Sequence, residues 1–243
     1  MEFDIETLKN NYNEIEKKII NKANECNRNP TEIKILAVSK THSSETILNG
    51  IQAGIPIFAE NYAQEFRDKN REVLDYYKNN NEKNIEIPNF EWHFIGHLQS
   101  NKVKYLVPFV TTIHTVDAVA LAKEISMQAE KYSKNINVLL QVNTSEEVSK
   151  SGIEPNQCVQ LAKEILLLKN IELIGLMTIG TFSENEVVIR KEFSLLRNCL
   201  NEINQNCGTN LKELSMGMSH DYEIAIEEQA TMLRIGTAIF GNR

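Results

Sequence analysis

Ile35-Leu36-Ala37-Val38-Ser39-Lys40-Thr41-His42-Ser43-Ser44 runs from four apolar residues straight into a polar turn. The apolar run predicts a buried strand, and Ser43 or Ser44 predicts the cap of a following helix. No glycine occurs from Ser39 to Thr46. An open dinucleotide-binding sheet would want a G-x-G-x-x-G turn at this point. The turn carries Lys40 instead, at the rim of whatever the sheet builds. An amine partly removed from water loses its preference for the ammonium form. The neutral amine is a nucleophile toward aldehydes and suits a Schiff base. The competing reading is a lysine that carries its charge to solvent at a strand end.

The same texture repeats on either side. Upstream, Phe3, Ile5, Leu8, Tyr12, Ile15, Ile19 and Ile20 recur at helical spacing and predict an amphipathic helix over 3–26. After Pro30, apolar runs recur at 35–38, 57–59, 92–96, 112–116, 138–142, 173–178, 211–216 and 232–235. Helical stretches are expected between them at 44–53, 63–77, 99–107, 155–167, 184–204 and 221–230, with another from an Asp117 cap to about Tyr132. Residues 78–84 form a polar loop, and Ala238-Ile239-Phe240 closes the series. Continuous apolar strands are covered on both faces, as in parallel α/β sheets. Eight such units without a linker predict an α/β protein, a single (β/α)8 TIM barrel over 31–243 behind an N-terminal helix and linker at 1–30. A doubly wound open sheet is the runner-up.

Composition narrows the function. The 243 residues are 42% hydrophobic and 24% charged, an ordinary globular balance. A formal net charge of -7 argues against nucleic-acid binding, which needs a basic face. No apolar stretch reaches membrane-spanning length, and the acidic start does not resemble a signal peptide. Cys26, Cys158, Cys199 and Cys207 form no C-x-x-C pair, so neither a metal site nor a redox motif is indicated. Free thiols and a cytoplasmic location are expected.

In a barrel of this kind the chemistry lies just past the strand ends. Lys40, Glu60-Asn61-Tyr62 and His97 stand there. So do Ser215-Met216-Gly217-Met218-Ser219 and Arg234-Ile235-Gly236-Thr237. Gly217 and Gly236 each precede a hydroxyl residue, Ser219 and Thr237, after the seventh and eighth strands. Bare backbone N–H groups with a hydroxyl suit a phosphate. The alternative is that the glycines only serve tight turns, with Ser219 as a helix cap. Arg234 lies inside an apolar strand and needs partners. They are either a rim carboxylate such as Glu60 or a ligand's ring nitrogen or acid group. His93 reads as a satisfied core histidine, and Phe90, Trp92 and Phe94 read as packing. A lysine, a phosphate cup and a buried arginine point to a phosphorylated aldehyde. Pyridoxal phosphate fits, and so does a sugar phosphate on a Schiff-base lysine aldolase.

Several of these segments together resemble the YggS/PROSC family of pyridoxal phosphate homeostasis proteins. They are Ala37-Val38-Ser39-Lys40-Thr41, Glu60-Asn61-Tyr62, Trp92-His93-Phe94-Ile95-Gly96, Leu98-Gln99-Ser100-Asn101-Lys102, Lys150-Ser151-Gly152 and Gly175-Leu176-Met177, with the Ser215–Ser219 stretch and 234–241. The resemblance implies a barrel similar to the N-terminal domain of alanine racemase, with pyridoxal 5'-phosphate (PLP) as cofactor. It implies an aldimine on Lys40, phosphate contacts from Ser219, Gly236 and Thr237, Arg234 at the pyridine nitrogen, and Asn61 as a ring or supporting contact. No role is implied for His220, and no metal is expected. The implied function is PLP binding in intracellular PLP homeostasis without efficient catalysis. A racemase of low activity and a lysine aldolase are the alternatives. The partners are PLP and PLP-dependent apo-enzymes, with no nucleic acid or membrane, as a monomer or else a dimer. The sequence stops at Arg243, just after the eighth unit, so the second domain of alanine racemase is expected to be lacking.

Overall fold

The structure, a computed structural model, describes residues 3–79, 88–145 and 151–241. Residues 80–84 of the expected polar loop, Lys150 and Arg243 lie outside the described residues. The chain begins with α1 (Ile5–Glu25), where the Asp4 carboxylate accepts from the Thr7 amide at 2.7 Å. That cap satisfies one of the open N–H groups of the first turn. Leu8, Ile15, Ile19 and Ala23 form the buried stripe of the helix.

The alternating units follow. They are β1 (Lys34–Val38), α2 (Ser44–Gln52), β2 (Ile57–Glu60), α3 (Ala63–Asn79) and β3 (Glu91–Phe94). A 3-10 turn at Ser100–Lys102 leads into α4 (Val103–Leu106). Next come β4 (Thr112–Val116), α5 (Val119–Lys131) and β5 (Ile136–Gln141). Pro155–Gln157 is a 3-10 turn opening α6 (Cys158–Ile165), followed by β6 (Ile171–Met177) and α7 (Glu186–Cys207). The last units are β7 (Glu213–Met218), α8 (Tyr222–Glu227), β8 (Met232–Ile235) and α9 (Thr237–Phe240).

The eight strands pair in parallel and in chain order, and β1 pairs with β8 to close the barrel. The (β/α)8 reading is therefore correct, with its N-terminal helix in place. Side chains alternate in and out along each strand. Leu36, Val38, Ile57, Ala59, Ile95, Leu139, Met177 and Met232 form a small cluster of their own inside the barrel. A much larger apolar layer packs the outer faces of the strands against the helices. Trp92 belongs to that layer, its ring centroid 5.0 Å from Phe66 and 5.4 Å from Phe90. The aromatic run is packing, as expected.

Two local expectations are corrected. The cap of α5 is Ala118 rather than Asp117, and it makes no side-chain hydrogen bond. Strand β7 runs on to Met218, so Gly217 lies within a strand rather than in a loop. Its φ of 90°, with a β-carbon position 2.5 Å from the Ala225 methyl, makes glycine necessary there. Glycine weakens a strand signal, which is why the apolar pattern breaks off early.

Candidate functional site

Register brings the expected residues to one end of the barrel. Leu36 lies opposite Arg234 and Ala37 opposite Ile235, so Lys40 leaves β1 beside Gly236 leaving β8. Met218 pairs with Arg234, which puts Ser219 at the next strand exit. Val38 pairs with Ala59, and Asn61 follows directly after β2. Lys40, Asn61, Ser219, Arg234, Gly236 and Thr237 thus come from the four neighbouring strands β7, β8, β1 and β2.

The turn that carries Lys40 is held from both sides. Ser39 is fully buried, and its hydroxyl donates to Glu60 Oε1 at 2.7 Å. Lys69 Nζ donates to the Ser39 carbonyl at 2.8 Å, to Glu60 Oε1 at 2.8 Å and to Glu65 Oε1 at 2.5 Å. Glu65 Oε1 also accepts from the Thr41 amide at 2.6 Å, and Thr41 has a φ of 69°. A threonine in the left-handed region is strained, so the surrounding bonds must hold it. Burial pushes the Glu60 carboxyl above its ordinary range, and the Lys69 ammonium opposes that rise. Sequence reading missed Lys69 altogether. It looks like one more cation on a polar helix, and only its position relative to β2 makes it a buried ion-pair member.

Arg234 does not bridge to Glu60, whose partner is Lys69. Arg234 Nη1 donates to the Ser215 carbonyl at 2.7 Å and to Ser215 Oγ at 2.9 Å, and Nη2 donates to the Thr178 carbonyl at 2.8 Å. These bonds use three of the five guanidinium donors. Burial pulls its pKa down to about 10, partly offset by Asp221, so the group stays charged near neutrality. Ser215 takes a further contact from His114, and His114 from His93, so His93 is a satisfied core histidine.

The exits of β7 and β8 carry the candidate phosphate cup. Ser219 is not the cap of α8; Asp221 is, and its carboxylate accepts from the Met218 amide at 2.5 Å. Gly236 precedes α9, whose first turn has no side-chain cap. A β-carbon on Gly236 would meet Val38 only at 3.4 Å, an ordinary contact, and its φ of -112° suits any residue. Neither strain nor crowding calls for glycine here. A bare backbone leaves the neighbouring N–H groups open to an anion. The buried Asn61 Oδ1 has no hydrogen-bond partner. An unpaired buried acceptor is costly and suits a site completed by a ligand or water. Asn61 also borders a cleft of about 190 Å³ at the barrel mouth, shared with His97, Thr115 and Gln141. Open N–H groups that suit an anion, a buried cation and a lysine at the rim fit a phosphorylated aldehyde.

Residues 3–243 match the family model for the alanine racemase N-terminal domain. A pyridoxal phosphate homeostasis protein of Aquifex aeolicus is 41% identical over 210 residues, covering 86% of this chain and 87% of the relative. This chain belongs to the family of pyridoxal phosphate homeostasis proteins. A second member, from Pasteurella multocida, is 38% identical across 98% of both chains. Among solved structures, PipY of Synechococcus elongatus with PLP bound superposes with a TM-score of 0.77. It is 30% identical, covering 92% of this chain and all of PipY. The family is named for homeostasis rather than for a reaction. Among the described residues no helix is long and apolar enough to cross a membrane, and no His, Cys, Asp and Glu group could hold a metal ion.

Proposed function

We propose that this protein binds PLP reversibly, with the Lys40 amine joined covalently to the cofactor aldehyde, and serves intracellular PLP homeostasis by holding and releasing it. When bound, PLP supplies an electrophilic aldehyde and an electron-withdrawing ring. The observation that carries this reading is Arg234, a buried cation in the strand beside β1, which carries Lys40 at its exit. Ser219, Thr237 and the backbone at Gly236 hold the phosphate. Asn61 supports the ring from the β2 side. PipY, a related structure, has PLP bound, which supports PLP as the ligand.

Arg234 also bears on catalysis. A fixed positive charge disfavours a proton on the ring nitrogen, which weakens the ring as an electron sink. Racemisation further needs acid/base groups on both faces of the substrate carbon. Lys40 serves one face. Tyr62, 54% exposed, and the exposed His97 are the nearby candidates for the other. Holding rather than turnover is the reading these residues favour, in the cytoplasm and with PLP-dependent apo-enzymes as receivers. The match to a racemase domain keeps a weak racemase as the second reading.

The test begins with absorption of the loaded protein in the near-visible and borohydride reduction followed by peptide mapping. Fixation to the Lys40 peptide, lost in Lys40→Ala, is expected. Fixation of the wild-type protein at a peptide other than that of Lys40 would refute the assignment. Transfer of bound PLP to an apo-enzyme in the presence of a trap for free aldehyde then tests delivery.

A further inference from the structure

A line of polar side chains crosses the barrel interior from its opposite end to Arg234. Glu91 opens β3 on the N-terminal face and is half exposed. Its Oε2 lies 3.1 Å from His93 Nε2. His93 Nδ1 lies 2.9 Å from His114 Nε2, and His114 Nδ1 lies 3.0 Å from Ser215 Oγ. Ser215 Oγ accepts from Arg234 Nη1. Both histidines are buried.

With both rings neutral, the carboxylate end determines the direction of every bond. Arginine only donates, and an ionised carboxylate only accepts. Ser215 Oγ therefore accepts from Arg234 Nη1 and donates its hydroxyl hydrogen to His114 Nδ1. His114 Nε2–H donates to His93 Nδ1, and His93 Nε2–H donates to Glu91. With both rings neutral, the reverse order would set an unprotonated His93 Nε2 against the Glu91 carboxylate. Bonds aligned head to tail polarise one another, so a change at one end is felt at the other.

We infer that Glu91, His93 and His114 are positioning residues that act through Ser215 on Arg234, so that the protonation state at the N-terminal face of the barrel tunes the cation at the ligand end. A proton added to His93 would turn its Nδ1 into a donor. His114 would then have to donate to Ser215, and the serine oxygen would become a poorer acceptor for Arg234. The charged groups facing this line are Lys34 of β1, Glu213 of β7 and Glu91 around His93, Lys34 and Arg234 around His114, and Asp221 near Arg234. Lys34 and Glu213 form their own pair at 2.7 Å. The inference rests on the cofactor reading for its effect on the ring, while the relay itself belongs to the protein alone.

Two measurements separate these layers. In the unloaded protein, nitrogen NMR of the histidine rings at neutral pH is expected to show the proton on Nε2 of both His93 and His114. A proton on Nδ1 of either ring would overturn the relay. In the PLP-loaded protein, Glu91→Leu, at a half-exposed position, removes the terminal acceptor. The pH midpoint of the visible band should then move, because His93 Nε2–H loses its acceptor and the bonds along the line reorganise. Glu91→Gln keeps an acceptor oxygen and should move it less. An unmoved midpoint in Glu91→Leu, or an equal shift in both variants, would refute the coupling. Failure of the wild type to take up PLP would refute the cofactor reading and leave the ring-proton result standing.

Discussion

The Lys69 ammonium donates to the carbonyl oxygen of Ser39 at 2.8 Å, one residue before Lys40. The same nitrogen holds Glu60 and Glu65, and Glu65 holds the amide of Thr41 one residue after Lys40. The turn that carries Lys40 is thus clamped on both sides by a single buried cation and its two carboxylates.

Lys69→Met should therefore be strongly destabilising. It leaves Glu60 buried without its counter-charge, a loss of about 3–5 kcal/mol. Urea denaturation would measure it, and Glu60→Gln added to Lys69→Met should recover part of the loss. An undiminished midpoint in Lys69→Met would show that the clamp contributes nothing to folding.

Gly96→Ala tests the β2 exit. A β-carbon at Gly96 would lie 1.8 Å from the Asn61 carbonyl oxygen. The backbone must move, at roughly 1–3 kcal/mol in stability. PLP binding should weaken with it, because Asn61 is displaced. Equal affinity in titrations of Gly96→Ala and wild type would remove Asn61 from the site.

The phosphate cup predicts ligand preference. Pyridoxal should bind more weakly than its phosphate. A hydroxyl donor to a charged group contributes ~1.5–3 kcal/mol, or roughly tenfold or more in affinity. The Ser219→Ala/Thr237→Val double variant should lose at least that much for PLP and little for pyridoxal. Comparable loss for both ligands would point to a collapsed site rather than a missing phosphate contact.

Acid stability should report the buried histidines. Burial lowers the pKa of His93, and that of His114 well below its ordinary 6.5. The unfolded chain then binds more protons than the folded one once pH drops to that value, so stability falls as pH falls from about 6.5 toward the lower folded pKa. Above that window the two rings contribute no slope. Glu60, raised by burial, acts with the opposite sign from 4.5 upward and partly masks the effect. His114→Asn should flatten the loss between pH 6.5 and 5 in denaturant midpoints, even though it is less stable at pH 7.5. An unchanged slope would mean that the ring protonates freely in the fold.

Slow or undetectable Cα–H exchange is expected when amino acids meet the loaded protein in deuterated water. Deuterium entering alanine on the order of 1 s⁻¹ or faster, abolished by Lys40→Ala, would promote the racemase reading.

Much of this was legible in sequence because it is written locally. The Ile35–Val38 run and the helical spacing that follows depend on neighbours a few residues away, so strand, helix and their alternation could be read in order. Lys40, Arg234 and Gly236 stood out because each interrupts or terminates an apolar run. The family motifs then tied them to one ligand. Met218 was missed as a strand residue because Gly217 breaks the apolar pattern. Asp117 was misread as a cap because a polar residue after a strand suits several turn geometries equally.

Only the closed barrel decided which polar groups meet. His114 and Ser215 are 101 residues apart, and Arg234 reaches Thr178 across 56. Nothing in either segment's own periodicity encodes those distances. The sequence determined that Arg234 would be buried. Closure of β8 onto β1, beside β7, decided that its charge would be held by carbonyls and a serine instead of by Glu60. It likewise assigned Glu60 to Lys69, because a charge removed from water must take whatever partner the packed neighbours bring within hydrogen-bond reach.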